Sequence, residues 1–312
     1  MGQMEFKGRS LLTWLDYSPS EIRYLLDFSK KIKEEKKQGK IFQRFTGKTI
    51  ALLFEKRSTR TRCAFETAFG EEGGHPVFLS TQDIQLGAKE SVEDTARVLG
   101  RMFDAIQFRG FKQSTVETLA KYSGVPVYNG LTDSFHPTQV LADVMTMEEN
   151  MGDCRGKKLA YAGDGRNNVT RSLMVICAKM GINISIVTPS SLNPDGELLN
   201  KCLSLCKESG ASIKISENLD EVKGADAVYT DVWASMGEES KKEERHKLLQ
   251  PYQVNQALME RTGKAETIFL HCLPAVVGEE VTPEVIYGSQ SRAWDEAENR
   301  KYTIKAIMLA TM

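Results

Sequence analysis

Thr49-Ile50-Ala51-Leu52-Leu53-Phe54, followed by Glu55-Lys56-Arg57-Ser58-Thr59-Arg60-Thr61-Arg62, decides the fold class. The first six residues are an uninterrupted apolar run of strand length, the pattern of a β-strand covered on both faces in a parallel sheet. The hydroxyls and guanidinia behind it stand where a helix begins, and the pattern predicts a helix over 58–72. Upstream, Ser18-Pro19-Ser20-Glu21 before Ile22, Leu25, Leu26 and Phe28 is a capping sequence at the head of an amphipathic helix that ends near the lysines of 36–40. Downstream, the alternation repeats as a strand at 76–79, a helix at 91–101, a strand at 105–109, a helix at 114–122 and a strand at 125–128. A helix over 137–151 carries Val140, Leu141, Val144, Met145 and Met147 on one face and bridges to a second series. That series has strands at 158–162, 184–187, 212–215, 227–230 and 267–270.

The fold class is therefore α/β, with two doubly wound parallel-sheet domains and the active site in the cleft between them. A length of 312 residues agrees with two domains at roughly 150 residues each. The expected division is 1–147 for the first domain and 148–292 for the second, with a closing helix at about 293–312 packing back onto the first. Lys+Arg at 41 against Asp+Glu at 42 leaves no global basic field to collect nucleic acid or anionic lipid, so an anion must be held locally. No apolar run approaches the ~18 residues of a bilayer span. Glu5, Lys7 and Arg9 interrupt the opening of the chain, which is expected to carry no secretory signal and to stay in the cytosol. The six cysteines form no C-x-x-C, and Cys202 and Cys206 are expected to be buried free thiols.

Ligands of open parallel sheets bind beyond the carboxyl ends of the strands, and here those ends are polar. Ser58-Thr59-Arg60-Thr61-Arg62 offers helix N–H groups, hydroxyls and guanidinia to a phosphate or other dianion, although Arg62 has the alternative of pointing inward. Arg109-Gly110 and Phe135-His136-Pro137-Thr138-Gln139 end two further strands, and the charge of His136 is left open by the sequence. In the second half Gly163-Asp164-Gly165 precedes a helix, but Asn168 stands where a dinucleotide fingerprint needs its third glycine, which argues against NAD. Asp231, with Ser235-Met236-Gly237 behind it, suits an ammonium, Asn168 a carboxylate, and His271-Cys272-Leu273-Pro274 ends the last strand.

Together these motifs resemble the aspartate/ornithine carbamoyltransferase family over nearly the whole chain, and the Ser-Met-Gly and His-Cys-Leu-Pro segments resemble its ornithine branch. The segment between Pro274 and Thr282 is shorter than in some members. The resemblance implies transfer of the carbamoyl group of carbamoyl phosphate to the δ-amine of L-ornithine, giving citrulline and phosphate without metal or organic cofactor. It implies that Ser58, Thr59, Arg60, Thr61, Arg109 and Arg300 hold the phosphate, and that Thr61, Arg109 and His136 face the carbonyl oxygen. Gln139 and the Cys272–Leu273 backbone would bind the carbamoyl amino group, while Asn168, Asp231, Ser235 and Met236 bind ornithine. Arg109, His136, Asp231 and Cys272 are the residues expected to act in catalysis, with Cys272 positioning or helping to deprotonate the amine and not attacking covalently. A homotrimer is implied, in which the Thr81–Ser91 loop, through Gln85, reaches the neighbouring site, and carbamoyl phosphate is expected to bind first. Rival readings are a carbamoyltransferase for putrescine or an N-acylated ornithine, an idle relative that only binds metabolites, and an NAD-dependent enzyme.

Overall fold

A computed structural model describes residues 5–80, 84, 90–234 and 242–312. The chain forms two compact units, Met1–Leu141 with Glu298–Met312, and Ala142–Ala297.

In the first unit, α1 (Pro19–Lys37) starts at a reciprocal cap: the Ser18 hydroxyl accepts the Glu21 N–H at 3.2 Å and the Glu21 carboxylate accepts the Ser18 N–H at 2.7 Å. Such a cap contributes about 1 kcal/mol. There follow β1 (Thr49–Phe54), α2 (Thr59–Gly70), β2 (His75–Ser80), α3 (Val92–Met102), β3 (Ala105–Arg109), α4 (Gln113–Ser123) and β4 (Val127–Leu131). The strands are parallel in the order β2-β1-β3-β4. Ile50, Ala51, Leu52 and Leu53 are fully buried, as the apolar run requires. Pro76 sits in an edge strand, where its missing N–H costs least. β4 begins two residues later than the sequence predicts, because Pro126 has no N–H for the ladder and enters it only as an acceptor, from Ile106 at 2.9 Å. The free edge of β4 is covered by Leu11, which donates to Val127 and accepts from Asn129, both at 2.9 Å.

α5 (Pro137–Met151) carries the chain into the second unit, which holds β5 (Lys158–Ala162), α6 (Asn168–Met180), β6 (Asn183–Val187), α7 (Gly196–Ser209), β7 (Ile213–Ser216), β8 (Ala227–Tyr229), α8 (Lys242–Leu249), α9 (Gln256–Arg261), β9 (Ile268–Leu270) and α10 (Pro283–Ile286). Its parallel strands run β7-β6-β5-β8-β9 around a core that includes Ala160, Val228, Phe269 and Trp233. α11 (Ala293–Thr311) leads back, so that residues 298–312 belong to the first unit. Cys202 and Cys206 are buried free thiols. Among the described residues no helix is long and apolar enough to cross a membrane.

An ion-pair network ties α11 to the end of α2. Glu71 accepts from Lys305 at 2.9 Å, Lys36 at 3.2 Å and Lys301 at 3.3 Å. Burial raises the Glu71 pKa, but the three ammonium groups outweigh it and hold the carboxyl at about 2. A carboxyl depressed from 4.5 to about 2 on folding stabilises the fold above pH 4.5, and that contribution is lost as pH falls toward 2. Glu71→Gln is expected to lower Tm at neutral pH, with the gap to the parent closing between those limits in a pH series. A gap that persists unchanged at the acid end would count against the network.

Candidate active site

In the first sheet β1 lies between β2 and β3, so the connections diverge and open a crevice beyond the carboxyl ends of β1 and β3. Ser58 caps α2 there, its hydroxyl accepting the Thr61 N–H at 3.2 Å. Thr59 and Arg60 thus lead the helix at the positive end of its dipole. The Thr61 hydroxyl accepts two guanidinium N–H groups, from Arg109 Nη1 at 3.1 Å and Arg300 Nη2 at 2.9 Å. With both lone pairs engaged, its proton is left to donate to a ligand. Arg62 neither turns to this crevice nor points inward; it is exposed, bonds Glu66 at 2.8 Å and lies over the Phe78 ring.

Arg109 is aimed by an irregularity. Phe108 pairs with Asn129 but Arg109 with Leu131, so the ladder skips Gly130. The Arg109 carbonyl accepts the N–H groups of Glu55 and Lys56 at 2.8 and 3.4 Å, which tie the end of β3 to the residues after β1. A Cβ at Gly130 would lie 2.5 Å from Gln107 Nε2 and 3.0 Å from Thr61 Cγ2. Gly130→Ala is therefore expected to displace Thr61 and raise KM for the anionic substrate about tenfold or more, at an overpacking cost of about 1–3 kcal/mol of stability. An unchanged KM in the folded variant would show that this close approach does not matter. Neither Gln107 nor Gly130 stands out in the sequence.

His136, at the head of α5, is buried, and its pKa lies well below 6.5, first from burial and then from the positive charges of Arg300, Arg109 and Arg60. The imidazole is neutral, which settles the question left by the sequence, and it can donate one N–H without adding charge. Gln139 is buried beside it and its N–H bonds the His136 carbonyl at 3.1 Å.

In the second sheet β5 lies between β6 and β8, and a second switch point opens there. Asp231, after β8, accepts from three donors: Val232 N–H at 2.8 Å, the Cys272 thiol at 3.2 Å and Asn167 Nδ2 at 3.3 Å. Burial raises its pKa, while the thiol and the Val232 N–H favour the carboxylate. Burial, and then Asp231, push the Cys272 thiol well above its ordinary pKa. Cys272 is thus a protonated donor to Asp231. Asn167, which the sequence reading passed over, also caps α6 through the Thr170 N–H at 2.7 Å; an asparagine at such a cap carries no sequence signal of a further contact. Asn168 is half-buried as the first residue of α6. Asp164 is committed to Arg245 at 3.2 Å and Arg166 at 3.5 Å.

His271 braces the neighbouring turn. Its Nδ1 accepts the Leu273 N–H at 2.8 Å, so Nε2 carries the proton and donates to Glu280 at 3.1 Å. Leu273 has φ +56°, a left-handed conformation that costs an unglycinated residue about 1–3 kcal/mol and is held by that bond. The Leu273–Pro274 peptide is cis. Ligand atoms of Asp231, His271 and Cys272 lie within 4.8 Å of one another, a spacing a metal ion would accept. Both His271 ring nitrogens are already engaged, so the trio is a hydrogen-bonded set. Gln85, Ser235 and Met236, with residues 81–83 and 86–89 of the expected loop, lie outside the described residues.

Residues 9–149 match the family model for the aspartate/ornithine carbamoyltransferase carbamoyl-P binding domain, and residues 155–311 match that for the Asp/Orn binding domain. The chain belongs to this family. An ornithine carbamoyltransferase of Caldanaerobacter subterraneus is 66% identical over 307 residues, covering 98% of each chain. One from Thermotoga maritima is 65% identical over 310 residues, 99% of each. The solved ornithine carbamoyltransferase of Pyrococcus furiosus covers 99% of each chain at 45% identity, with a TM-score of 0.96. In this carbamoyltransferase-family chain Ser58, Thr61, Arg109 and His136 fall within the carbamoyl-P domain match, whereas Asp231 and Arg300 fall within the Asp/Orn domain match.

Proposed function

We propose that the chain transfers the carbamoyl group of carbamoyl phosphate to the δ-amine of L-ornithine, giving L-citrulline and phosphate. The observation that carries this reading is the Thr61 hydroxyl held by two guanidinia at the head of α2. A phosphate dianion suits the positive helix end, Ser58, Thr59, Arg60, Arg109 and Arg300, and a developing oxyanion suits Thr61, Arg109 and neutral His136. Gln139 and the Cys272–Leu273 backbone are assigned to the carbamoyl NH2 group by the family resemblance.

On the other unit, buried Asp231 favours a cationic amine and disfavours the second carboxylate of aspartate, which would meet a like charge. Ornithine's δ-ammonium gives up a proton toward Asp231, the freed amine attacks the carbamoyl carbon, and a C–N bond forms. The tetrahedral oxyanion then collapses: the bond between the carbamoyl carbon and the phosphate oxygen breaks, the second amine proton passes to the leaving phosphate, and hydrogen phosphate departs. The acyl phosphate arrives already activated, so the step calls for no metal or organic cofactor. Asn168, Ser235 and Met236 are assigned to the α-groups of ornithine by the family resemblance. The same resemblance supports a cytosolic homotrimer serving arginine metabolism, in which Gln85 of the 81–91 loop completes a neighbouring site.

Carbamoyl phosphate labelled in its carbamoyl carbon, incubated with enzyme and L-ornithine, is expected to give labelled citrulline and an equal amount of phosphate. Enzyme quenched without amine is expected to carry no label. Absence of citrulline would refute the activity, and label retained on Cys272 would refute direct transfer.

A further inference from the structure

Asp143 and Glu296 are fully buried and hydrogen-bonded carboxyl to carboxyl, and the proposed chemistry uses neither. Both belong to the 142–297 unit, Asp143 on α5 and Glu296 on α11, each beside the point where its helix crosses into the other unit. The acids around the pair are Tyr229 on β8, Asp231 after it, Cys272 after β9 and Cys177 on α6, while the nearby His271 imidazole is committed to Glu280. Two carboxylates in hydrogen-bond contact away from water cannot both be ionised, so the pair retains one proton between them. Burial, and then Asp143, push Glu296 well above the usual carboxylate range.

The remaining bonds of Glu296 give the pair a direction. Its Oε2 accepts the His271 N–H at 3.0 Å, and its Oε1 accepts the Tyr229 O–H at 3.3 Å. The His271 amide opens the segment whose next residue donates its thiol to Asp231 and whose third stands at φ +56°. We propose that Asp143 and Glu296 form a one-proton carboxyl clamp that positions the His271–Pro274 segment, and through it Cys272 and Asp231, for the reaction. They are positioning residues: neither reaches the reacting atoms, and the clamp acts through the His271 amide and the end of β8. The kinetic part of this inference rests on the proposed carbamoyl transfer; the shared proton does not.

Two measurements separate the possibilities. Infrared difference spectroscopy of the full chain at neutral pH is expected to show a buried protonated carboxyl that disappears in both Glu296→Gln and Asp143→Asn. Persistence of the band in both variants would overturn the shared proton, and these near-isosteric changes keep the test valid even if a truncated variant fails to fold. In steady-state assays, Glu296→Ala is expected to lower kcat about tenfold or more while KM for carbamoyl phosphate stays within about twofold. Glu296→Gln, which still accepts the His271 N–H and donates to an ionised Asp143, is expected to recover activity to within about threefold. A folded Glu296→Ala with parental kcat, or a Glu296→Gln as impaired as the alanine variant, would overturn the clamp. A parent enzyme that shows the infrared band but makes no citrulline would refute the proposed reaction and leave the shared proton standing.

Discussion

Replacing Arg109 by alanine is expected to lower kcat/KM for carbamoyl phosphate about 1,000-fold, near 4 kcal/mol of transition-state stabilisation. The size follows from its double duty. Its guanidinium bonds the Thr61 hydroxyl at 3.1 Å, is one of the charges that keep His136 neutral, and sits at a strand end re-aimed by the skipped Gly130. Alanine removes a charge and a fixed fork, and it also leaves Thr61 free to turn its lone pair toward the substrate. Lysine at this position supplies a point charge without the fork, so Arg109→Lys is expected to recover only part of the loss. The defect is expected with L-ornithine saturating, because Arg109 belongs to the other unit from Asp231. A fall of less than tenfold in folded protein would remove Arg109 from the oxyanion and phosphate contacts.

Asp231→Asn is expected to lower kcat about 1,000-fold while KM for carbamoyl phosphate changes less than about threefold. The amide keeps an acceptor for the Cys272 thiol and the Val232 N–H, so the geometry survives while the charge is lost. What disappears is the anion that steadies the δ-ammonium and receives its proton. The Asn167 amide, now facing an NH2 donor in place of Oδ2, adds a smaller local cost. Equal loss in the kinetics of both substrates would mean that Asp231 serves the fold of its sheet and not the amine.

Much of this was legible in the chain because the relevant signals are local. The runs 105–109 and 158–162 and the helix 137–151 appear in the structure at the bounds read from the sequence, since each is a short apolar run or an apolar face with a clear stop. Strand order was not legible, because the position of β1 between β2 and β3 depends on pairings between distant segments. Leu11 on the edge of β4 was equally hidden: one residue with two backbone bonds leaves no pattern. In the site, Arg60, Arg109 and His136 were visible as polar residues at the ends of apolar runs. The contact of Arg300 with Thr61 spans 239 positions, and the skip at Gly130 looks like any glycine near a turn, so their geometry emerges only from the fold. Asn167 and the Asp143–Glu296 pair were missed for the same reason.

The reading turns on which amine the second unit accepts, and initial rates of ureido-product formation from carbamoyl phosphate test that most directly. L-ornithine, putrescine, N-acetylornithine and L-aspartate would be compared at equal concentration. The account predicts citrulline from L-ornithine at a rate at least about 100-fold above the others, since each rival lacks the α-carboxylate, lacks the free α-ammonium or brings an extra anion toward Asp231. Comparable rates with putrescine or N-acetylornithine, or a preference for aspartate, would contradict it.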